Sequence, residues 1–287
     1  MKCKIEILES PYTGYCFGVK RAMSLLEEGL NRNRGKSVYA AGDIIHNPQA
    51  IEQLRFRGVE SVDSLNDVKE GETFVIRAHG VHPDIISRAR DKNIEIIDTT
   101  CPFVKRSQEY VKKLSRENRE IIIIGDRDHP EVKGLSGHAG RKPLIIGSLD
   151  ETRALPKLKK AGVVTQTTFS AKESERIVSE FKSRIEDLKV FNTICKATVK
   201  RRKATMNIAE QVDLMLVVGG KGSSNTRRLH YMCLDNNILS KHIETADEIE
   251  ESWFSDIRRV GLTTGTSTPD WVLTEVKDRL REISEDC

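Results

Sequence analysis

Three cysteines stand in nearly the same short sequence word, which suggests that they share one chemical role. Cys16 opens CFGVKR, Cys101 opens CPFVKR and Cys195 opens CKATVKR. Each follows an apolar, strand-like run and precedes an amphipathic segment with helical spacing, so each thiol is predicted at a strand-to-helix junction. A helix N-terminus and a nearby Lys-Arg pair both favour the thiolate, which is the form of cysteine that ligates metal.

Three thiolates with no evident fourth favour a cubane iron–sulfur cluster that leaves one iron open to a substrate. A structural zinc site is the weaker alternative, because such sites normally show cysteine pairs spaced C-x2-4-C and this chain has none. Three buried core thiols are the other alternative. Cys3, Cys233 and Cys287 have no matching context and are interpreted as ordinary cysteines.

Polar side chains follow other predicted strands, where ligands of a parallel sheet collect. His46, His79 and His129 lie in such loops, and Glu131 stands two residues after the last of them. Imidazoles can donate hydrogen bonds to phosphate oxygens, and a carboxylate close to one can transfer protons. A glycine-rich loop and one further strand end supply small hydroxyl and amide donors, which together with the histidines predict a diphosphate site: Ser223, Ser224 and Asn225 in GGKGSSN, and Ser267 in GTSTPD. The TQTT run, Thr165 to Thr168, ends a strand at the same level, so it either faces the reacting group or is an ordinary strand segment.

The elements that position these residues also repeat. The three cysteines are separated by 85 and 94 residues, and each is followed by two further strand-and-loop segments that alternate with helix-like stretches. Strands alternating with helices indicate an α/β fold with parallel sheets. We therefore predict three similar α/β domains around a shared centre, with limits at 1–98, 99–192 and 193–287.

Composition limits the function. The 287 residues carry 47 Lys and Arg against 43 Asp and Glu, a mild excess of +4 spread along the chain. Nucleic-acid binding, which usually needs a concentrated basic patch, is not expected, whereas a small anionic substrate suits the charge. The N-terminal residues do not form a signal peptide and no apolar run reaches membrane-spanning length, so a cytoplasmic protein is expected.

Taken together, the motifs GYCFGVKRA, GDIIHNP, AHGV, DTTCPFV, HPEV, TQTT, SSN and GTSTPD resemble those of the 4-hydroxy-3-methylbut-2-enyl diphosphate reductase family, in the same order and over nearly the whole chain. The resemblance implies a pseudo-threefold trefoil of three α/β domains around a [4Fe-4S] cluster held by Cys16, Cys101 and Cys195. It also implies reductive dehydroxylation of an allylic diphosphate to isopentenyl and dimethylallyl diphosphate, with a ferredoxin or flavodoxin as electron donor.

Roles carry over residue by residue from the resemblance. Glu131 would donate a proton, and His129 and Thr167 would lie near the substrate hydroxyl. The diphosphate would be bound by the remaining loop residues, namely His46, His79, Ser223, Ser224, Asn225 and Ser267. The segment KATVKRRKA after Cys195 is more basic than is usual in the family, and Arg77 stands where smaller residues are frequent.

Two other functions remain open at this point. A cluster-dependent dehydratase would also use an open iron but would need no external electrons. A non-enzymatic redox or metal sensor would use the loops to hold a partner, but it gives Glu131 and the SSN loop no purpose.

Overall fold

The computed structural model describes residues 5–33 and 35–286, and in this part of the chain it shows three parallel four-stranded sheets with helices. The predicted α/β class with three similar sheets is therefore confirmed. Contacts group the chain into two compact units. The first unit comprises residues up to 17, residues 46–52 and residues from 196 onward, and the second comprises residues 18–45 and 53–195. The domain limits given above stay a prediction.

The strands are short and the helices follow them in alternation. The strands are β1 (Glu6–Glu9), β2 (Val38–Ala41), β3 (Val59–Val62), β4 (Thr73–Ile76), β5 (Glu95–Asp98), β6 (Glu120–Ile124), β7 (Leu144–Ile146), β8 (Lys160–Thr165), β9 (Asp187–Phe191), β10 (Leu214–Val218), β11 (Ser240–Ile243) and β12 (Arg259–Thr264). The helices are α1 (Phe17–Arg32), α2 (Pro48–Phe56), α3 (Pro83–Asp91), α4 (Pro102–Arg116), α5 (Pro130–Gly137), α6 (Ala171–Arg184), α7 (Lys196–Ala209), α8 (Ser224–Asp235) and α9 (Asp270–Asp286). Short 3-10 helices cover Leu65–Asp67, Asp150–Ala154, Ala246–Glu248 and Glu251–Phe254.

The first unit contains one sheet, with strand order β1-β12-β10-β11. Its central strand β10 reads LMLVV and is buried at every position, as expected for a parallel strand covered by helices on both faces. One face packs against α9 through residues such as Val272 and Val276, and the other packs around Leu229 and Cys233 of α8. The sheet therefore has a hydrophobic layer on each side.

The second unit contains two sheets, ordered β3-β2-β4-β5 and β7-β6-β8-β9. The run Ile121–Ile124 in β6 is buried on both faces, between a core that includes Phe181 and one that includes Leu114. Fully burying one such side chain contributes about 1.5–3 kcal/mol, so this strand is a main source of stability in its sheet. Helices α3 and α5 also contact each other within this unit.

The strand immediately before each cysteine does not pair with the strands that directly follow that cysteine. The sequence repeat did not predict this arrangement. β5 precedes Cys101 but pairs with β4, and β9 precedes Cys195 but pairs with β8. In the same way β1, before Cys16, pairs in parallel with β12 near the other end of the chain. Cys101 and Cys195 therefore lie on connections that leave a completed sheet, whereas Cys16 follows an edge strand whose sheet is completed by strands far along the chain.

Helices long and apolar enough to cross a lipid bilayer are absent from the described part of the chain.

Candidate active site

The three candidate metal ligands stand at the predicted strand-to-helix junctions. Cys16 immediately precedes α1, Cys101 is the N-cap residue of α4, and Cys195 immediately precedes α7. All three are half-buried thiols. The first turns of these helices carry Lys20 in α1, Lys105 in α4 and Lys196 in α7, so the positive end of each helix is reinforced. A helix N-terminus beside a basic side chain is a position that suits a cysteine that ligates metal.

In the second unit, backbone hydrogen bonds tie two of the cysteines to loops predicted to bind substrate. The Cys101 N–H donates to the carbonyl oxygen of Ala78 at 2.9 Å, beside His79. The Cys195 N–H donates to the carbonyl oxygen of Thr167 at 2.9 Å. The strand ends that carry His79 and Thr167 are therefore held against the two thiol-bearing junctions.

The carboxyl group of Glu131 is buried, with the residue only 1% exposed. Its two oxygens accept hydrogen bonds from Thr167, one from the backbone N–H and one from the side-chain hydroxyl, both at 2.7 Å. Burial raises the pKa of Glu131 to about 7. The hydrogen bonds from Thr167 act to lower this pKa, and the charge of Asp126 acts to raise it. A carboxyl group with this pKa can hold a proton near neutral pH and still release it.

His129 is fixed next to Glu131 by the start of a helix. It is the N-cap residue of α5, Pro130 follows at the first helical position, and its Nδ1 accepts the Glu131 N–H at 3.1 Å. Because Nδ1 is the acceptor, the ring proton of a neutral His129 is on Nε2. The His79 ring lies edge-on to the His129 ring, with centroids 5.4 Å apart. The second unit thus brings together His79, His129, Glu131 and Thr167.

The raised pKa of Glu131 predicts a specific dependence of stability on pH. Because its pKa is about 7 in the folded protein and 4.5 for an ordinary glutamate, its stabilising contribution is complete below pH ~4.5 and is lost as the pH rises through ~7. Relative to Glu131→Gln, wild-type protein should lose up to roughly 3 kcal/mol of unfolding free energy between pH 5 and pH 8.5. Urea unfolding of both proteins across this range measures the difference, and a constant difference would contradict the assignment.

In the first unit, a second set of candidate residues surrounds the junction of Cys16. The Cys16 N–H donates to the carbonyl oxygen of Thr266 at 3.0 Å. The adjacent Ser267 donates from its hydroxyl to the carbonyl oxygen of His46, also at 3.0 Å. A Cβ atom on Gly220 would lie only 2.5 Å from that same oxygen, so the glycine permits the close approach of the two loops. His46, Ser267 and the glycine-rich loop therefore converge within this unit.

The SSN loop forms the N-terminal end of α8. Ser223 is the N-cap residue, and its hydroxyl accepts the N–H of Thr226. Ser224 and Asn225 occupy the first turn and are each 2% exposed. Both amide atoms of Asn225, Nδ2 and Oδ1, are buried without a hydrogen-bond partner among the described residues. A buried amide donor costs free energy unless an acceptor satisfies it, and an anion at this helix N-terminus would accept a hydrogen bond from Nδ2.

Sequence reasoning missed Gln166, which organises the strand end beside Thr167. It is fully buried, its Oε1 accepts the N–H of Asp126 at 2.8 Å, and its Nε2 donates to the Thr168 hydroxyl at 2.9 Å. The side chain therefore joins the loop that leads to His129 to the loop that carries Thr167. The sequence feature that could have identified Gln166 is its position within the TQTT motif.

Arg201 was also missed, because the basic segment after Cys195 suggested a surface run. The side chain is only 4% exposed and donates to the carbonyl oxygens of Gly14 and Gly265, at 2.7 and 2.8 Å, and to both oxygens of Thr264. Burial lowers the pKa of Arg201 to about 10, with the charge of Cys16 acting in the opposite direction. Arg201 holds the loop before Cys16 against the end of β12.

The structure also shows the surroundings of two residues to which the sequence assigned no function, Arg77 and Cys233. Arg77 donates from Nε to the carbonyl oxygen of Gly80 at 3.4 Å and lies next to Gly42, so it braces the AHG loop. Cys233 is fully buried, and burial raises the pKa of its thiol to about 11, which agrees with an ordinary core cysteine. Cys3 and Cys287 lie outside the described residues.

The side chains present are of the types that could bind the iron–sulfur cluster and the diphosphate that the sequence suggests. Iron–sulfur clusters are held by thiolates, and all three candidate cysteines are half-buried thiols at basic helix N-termini. A diphosphate needs compact hydrogen-bond donors, and the buried, unsatisfied amide of Asn225 at the start of α8 is such a group.

The fold and the candidate residues define an α/β protein with thiols at strand-to-helix junctions, a buried carboxyl group of raised pKa, and a helix N-terminus that carries a buried, unsatisfied amide. The family model of the LytB protein matches residues 7–281. The chain therefore belongs to the LytB family, and relatives that it matches carry the name 4-hydroxy-3-methylbut-2-enyl diphosphate reductase. The resemblance found in the sequence is confirmed.

Individual relatives match over almost the full chain. A 4-hydroxy-3-methylbut-2-enyl diphosphate reductase of Pelobacter propionicus is 43% identical over 281 residues, which cover 98% of this chain and 99% of the relative. The reductase of the same name from Aquifex aeolicus is 40% identical over 284 residues, with 98% of each chain covered.

Solved structures agree with these relatives. One of (E)-4-hydroxy-3-methyl-but-2-enyl diphosphate reductase, described as the terminal enzyme of the non-mevalonate pathway, has a TM-score of 0.70 at 39% identity and covers 97% of this chain and 99% of that one. One of E-1-hydroxy-2-methyl-but-2-enyl-4-diphosphate reductase from Plasmodium falciparum has a TM-score of 0.89 at 31% identity and covers 97% of this chain and 87% of that one.

Proposed function

We propose that the protein is an iron–sulfur 4-hydroxy-3-methylbut-2-enyl diphosphate reductase, which removes the hydroxyl group of this allylic diphosphate to give isopentenyl and dimethylallyl diphosphate in isoprenoid biosynthesis. The observation that carries the proposal is the buried Glu131 carboxyl group, with a pKa of about 7, in the same compact unit as Cys101 and Cys195. Family membership and the buried, unsatisfied Asn225 amide at the start of α8 support it.

Cys16, Cys101 and Cys195 would hold a [4Fe-4S] cluster, which would supply electrons and Lewis acidity when bound. The overall reaction consumes two electrons and two protons: the carbon–oxygen bond breaks, the oxygen leaves as water, and one proton adds to carbon. Protonation at either end of the allylic system gives the two products. The chain's own residues must deliver these protons while excluding bulk water.

Glu131 would deliver the proton. Its carboxyl group is shielded from solvent, and Thr167 fixes both oxygens, so the acidic proton has a defined position. His129, with its ring proton on Nε2, would donate a hydrogen bond toward the substrate hydroxyl, and the Thr167 hydroxyl would lie beside the same group. These three residues would hold the proton and transfer it to the substrate inside the site, without exchange with bulk water.

The diphosphate would be held by small neutral donors. The N-terminal end of α8 offers backbone N–H groups together with the side chains of Ser224 and Asn225, and Ser267 and His46 lie on the loops that meet it. The residues proposed to bind substrate are His46, His79, His129, Thr167, Ser223, Ser224, Asn225 and Ser267. Anchoring the inert end of the substrate converts its binding energy into orientation of the reacting end.

The proposal extends to the cellular setting. A soluble ferredoxin or flavodoxin would be the electron donor, the protein would act in the cytoplasm, and neither nucleic acid nor a membrane would be a partner. The mild net charge of +4 is compatible with a small anionic substrate.

Anaerobic purification with absorption and paramagnetic-resonance spectra tests the proposed function. We expect a coloured protein whose spectrum changes when the allylic diphosphate is added and which forms both products only when a reductant is supplied. Turnover without reductant would identify a dehydratase, and a colourless protein after strict anaerobic handling would contradict the cluster.

The SSN loop should control substrate binding rather than cluster assembly. Replacing Ser224 by Ala removes a buried donor at the helix N-terminus, and a hydrogen bond to a charged group contributes about 1.5–3 kcal/mol. Ser224→Ala should therefore raise the KM for the diphosphate by roughly 10- to 100-fold with an unchanged cluster spectrum. Ser183→Ala, an exposed change on α6, is the control. A lost cluster with an unchanged KM would make the loop structural.

A further inference from the structure

We propose that the exposed face of α7 formed by Lys196, Val199, Lys200 and Lys203, here called the α7 face, docks an acidic electron-donor protein. This inference rests on the proposed function, because a reductase of this kind must receive its electrons from a donor. The partner is defined by its chemistry: a small one-electron carrier with carboxylates around its redox centre.

The α7 face has the spacing of one side of a helix. Its members are separated by three, one and three residues, so they lie along a single stripe. All four side chains are exposed, and the central Val199 is 43% exposed. The face therefore presents an apolar contact bordered by three ammonium groups.

The positive charge of α7 is not neutralised within the helix. Residues 196–209 read KATVKRRKATMNIA, with five Lys and Arg and no Asp or Glu. By contrast, bases on α4 have local partners: Lys105 pairs with Asp98 at 2.6 Å, and Lys112 pairs with Glu109 at 2.7 Å. The lysines of the α7 face are thus available to carboxylates of another molecule.

The opposite side of α7 explains why this face points outward. Thr198, Arg201, Ala204 and Thr205 are buried, and Arg201 bonds to carbonyl oxygens at the ends of neighbouring loops. The Thr205 hydroxyl also contacts that of Thr263 on β12, at 2.7 Å. These contacts fix the rotation of the helix, so the exposed lysines keep a constant orientation.

Local helix energetics does not account for the lysines. A cation at the N-terminus of a helix opposes the helix dipole, and Lys196 is the first helical residue, so this lysine does not stabilise the helix. Lys203 lies seven residues further along, about 10 Å at 1.5 Å per residue, which exceeds the screening length of about 8 Å at physiological salt. A ligand of macromolecular size is therefore needed to contact the whole face.

The position of the face favours a redox partner over other acidic macromolecules. It begins at the residue that follows Cys195, a proposed cluster ligand, and electron transfer requires the donor to approach the acceptor closely. Weak redox encounters use small interfaces, for which one helix face with a single apolar contact and a charged border is sufficient. Charges of this kind chiefly accelerate association, and they do so most at low salt.

The test compares two reductants and two matched double variants. Lys200→Glu with Lys203→Glu reverses two charges on the α7 face. Lys172→Glu with Arg176→Glu makes the same change in charge on exposed positions of α6, a helix that follows no cysteine. Turnover of the cluster-loaded enzyme is measured with a photoreduced acidic ferredoxin and, separately, with reduced methyl viologen, at low and high salt. The affinity of each protein for the oxidised ferredoxin and for a single-stranded DNA oligonucleotide is measured beside it.

We expect the α7 variant to lose about tenfold in kcat/KM for ferredoxin at low salt, to lose less at high salt, and to keep wild-type turnover with methyl viologen. The α6 variant should match wild type with both reductants. Equal ferredoxin kinetics in the two variants would overturn the docking proposal, as would an α7 variant that lost only affinity for a single-stranded DNA oligonucleotide. Wild-type protein inactive with methyl viologen would instead refute the proposed function.

Discussion

Glu131→Gln is expected to fold, to assemble its cluster and to lose turnover by about 10²- to 10⁴-fold, the usual contribution of a positioned general acid. Glutamine has nearly the same shape, and its carbonyl oxygen can still accept one of the two hydrogen bonds from Thr167. It cannot deliver a proton. Steady-state turnover with a chemical reductant, measured beside the absorption spectrum of the cluster, separates loss of proton transfer from loss of the cofactor.

Thr167→Val provides the matched comparison for Glu131→Gln. Removing the Thr167 hydroxyl deletes its hydrogen bond to one oxygen of Glu131 and keeps the hydrogen bond from the Thr167 backbone N–H to the other oxygen. The deleted hydrogen bond is one of the two that lower the pKa of Glu131. The pKa of Glu131 should therefore rise further, and the alkaline limb of the activity profile should move to higher pH. Near-normal activity in Glu131→Gln, or an unmoved limb in Thr167→Val, would remove Glu131 from the proton-transfer step.

Replacing any one of Cys16, Cys101 or Cys195 by Ser is expected to abolish turnover and to strip the iron. A serine hydroxyl is hardly ionised at neutral pH and is a poor ligand for iron in a thiolate site. Iron and sulfide analysis after anaerobic purification, together with the visible absorption band, measures the loss directly. The activity should fall below detection in all three variants, because the remaining two thiolates hold the cluster weakly.

Cys233→Ala is the matched control for these cysteine variants. Its thiol is fully buried in the core between α8 and β10, and burial raises its pKa to about 11, so it is neither ionised nor accessible to metal. This variant should keep wild-type iron and activity and lose only about 1 kcal/mol of stability through the small cavity it leaves. Retained iron in a Cys101→Ser protein would show that Cys101 is not a ligand.

Much of the fold could be predicted because the sequence repeats its own local pattern. Apolar runs such as Ile121–Ile124 between helix-like stretches identified buried parallel strands, and the three cysteine words located the strand-to-helix junctions. The assignment of strands to sheets could not be predicted in this way. Whether β5 pairs with β4 or opens the next sheet depends on long-range packing, which leaves no trace in local periodicity.

The candidate site shows the same division. His129 and Glu131 were predictable because HPEV combines a helix start with two titratable groups two residues apart. The contact of Glu131 with Thr167 joins residues 36 apart in the chain, and Gln166 acts through bonds to Asp126 that no motif encodes. Arg201 was missed for a related reason, since charge alone predicts a surface residue while one of its carbonyl partners, Gly14, lies 187 residues away.

The pairing of β1 with β12 has a consequence for how the chain is made. The first of these strands is synthesised well before its partner, because β12 at residues 259–264 follows it only after about 250 further residues. During translation, residues 6–9 therefore remain an unsatisfied edge, and the neighbouring Cys16 has no settled surroundings until the last sheet forms. If Cys16 is a ligand of the proposed cluster, its site would be complete only after residues 259–264 have been synthesised, and shorter chains would not be loaded.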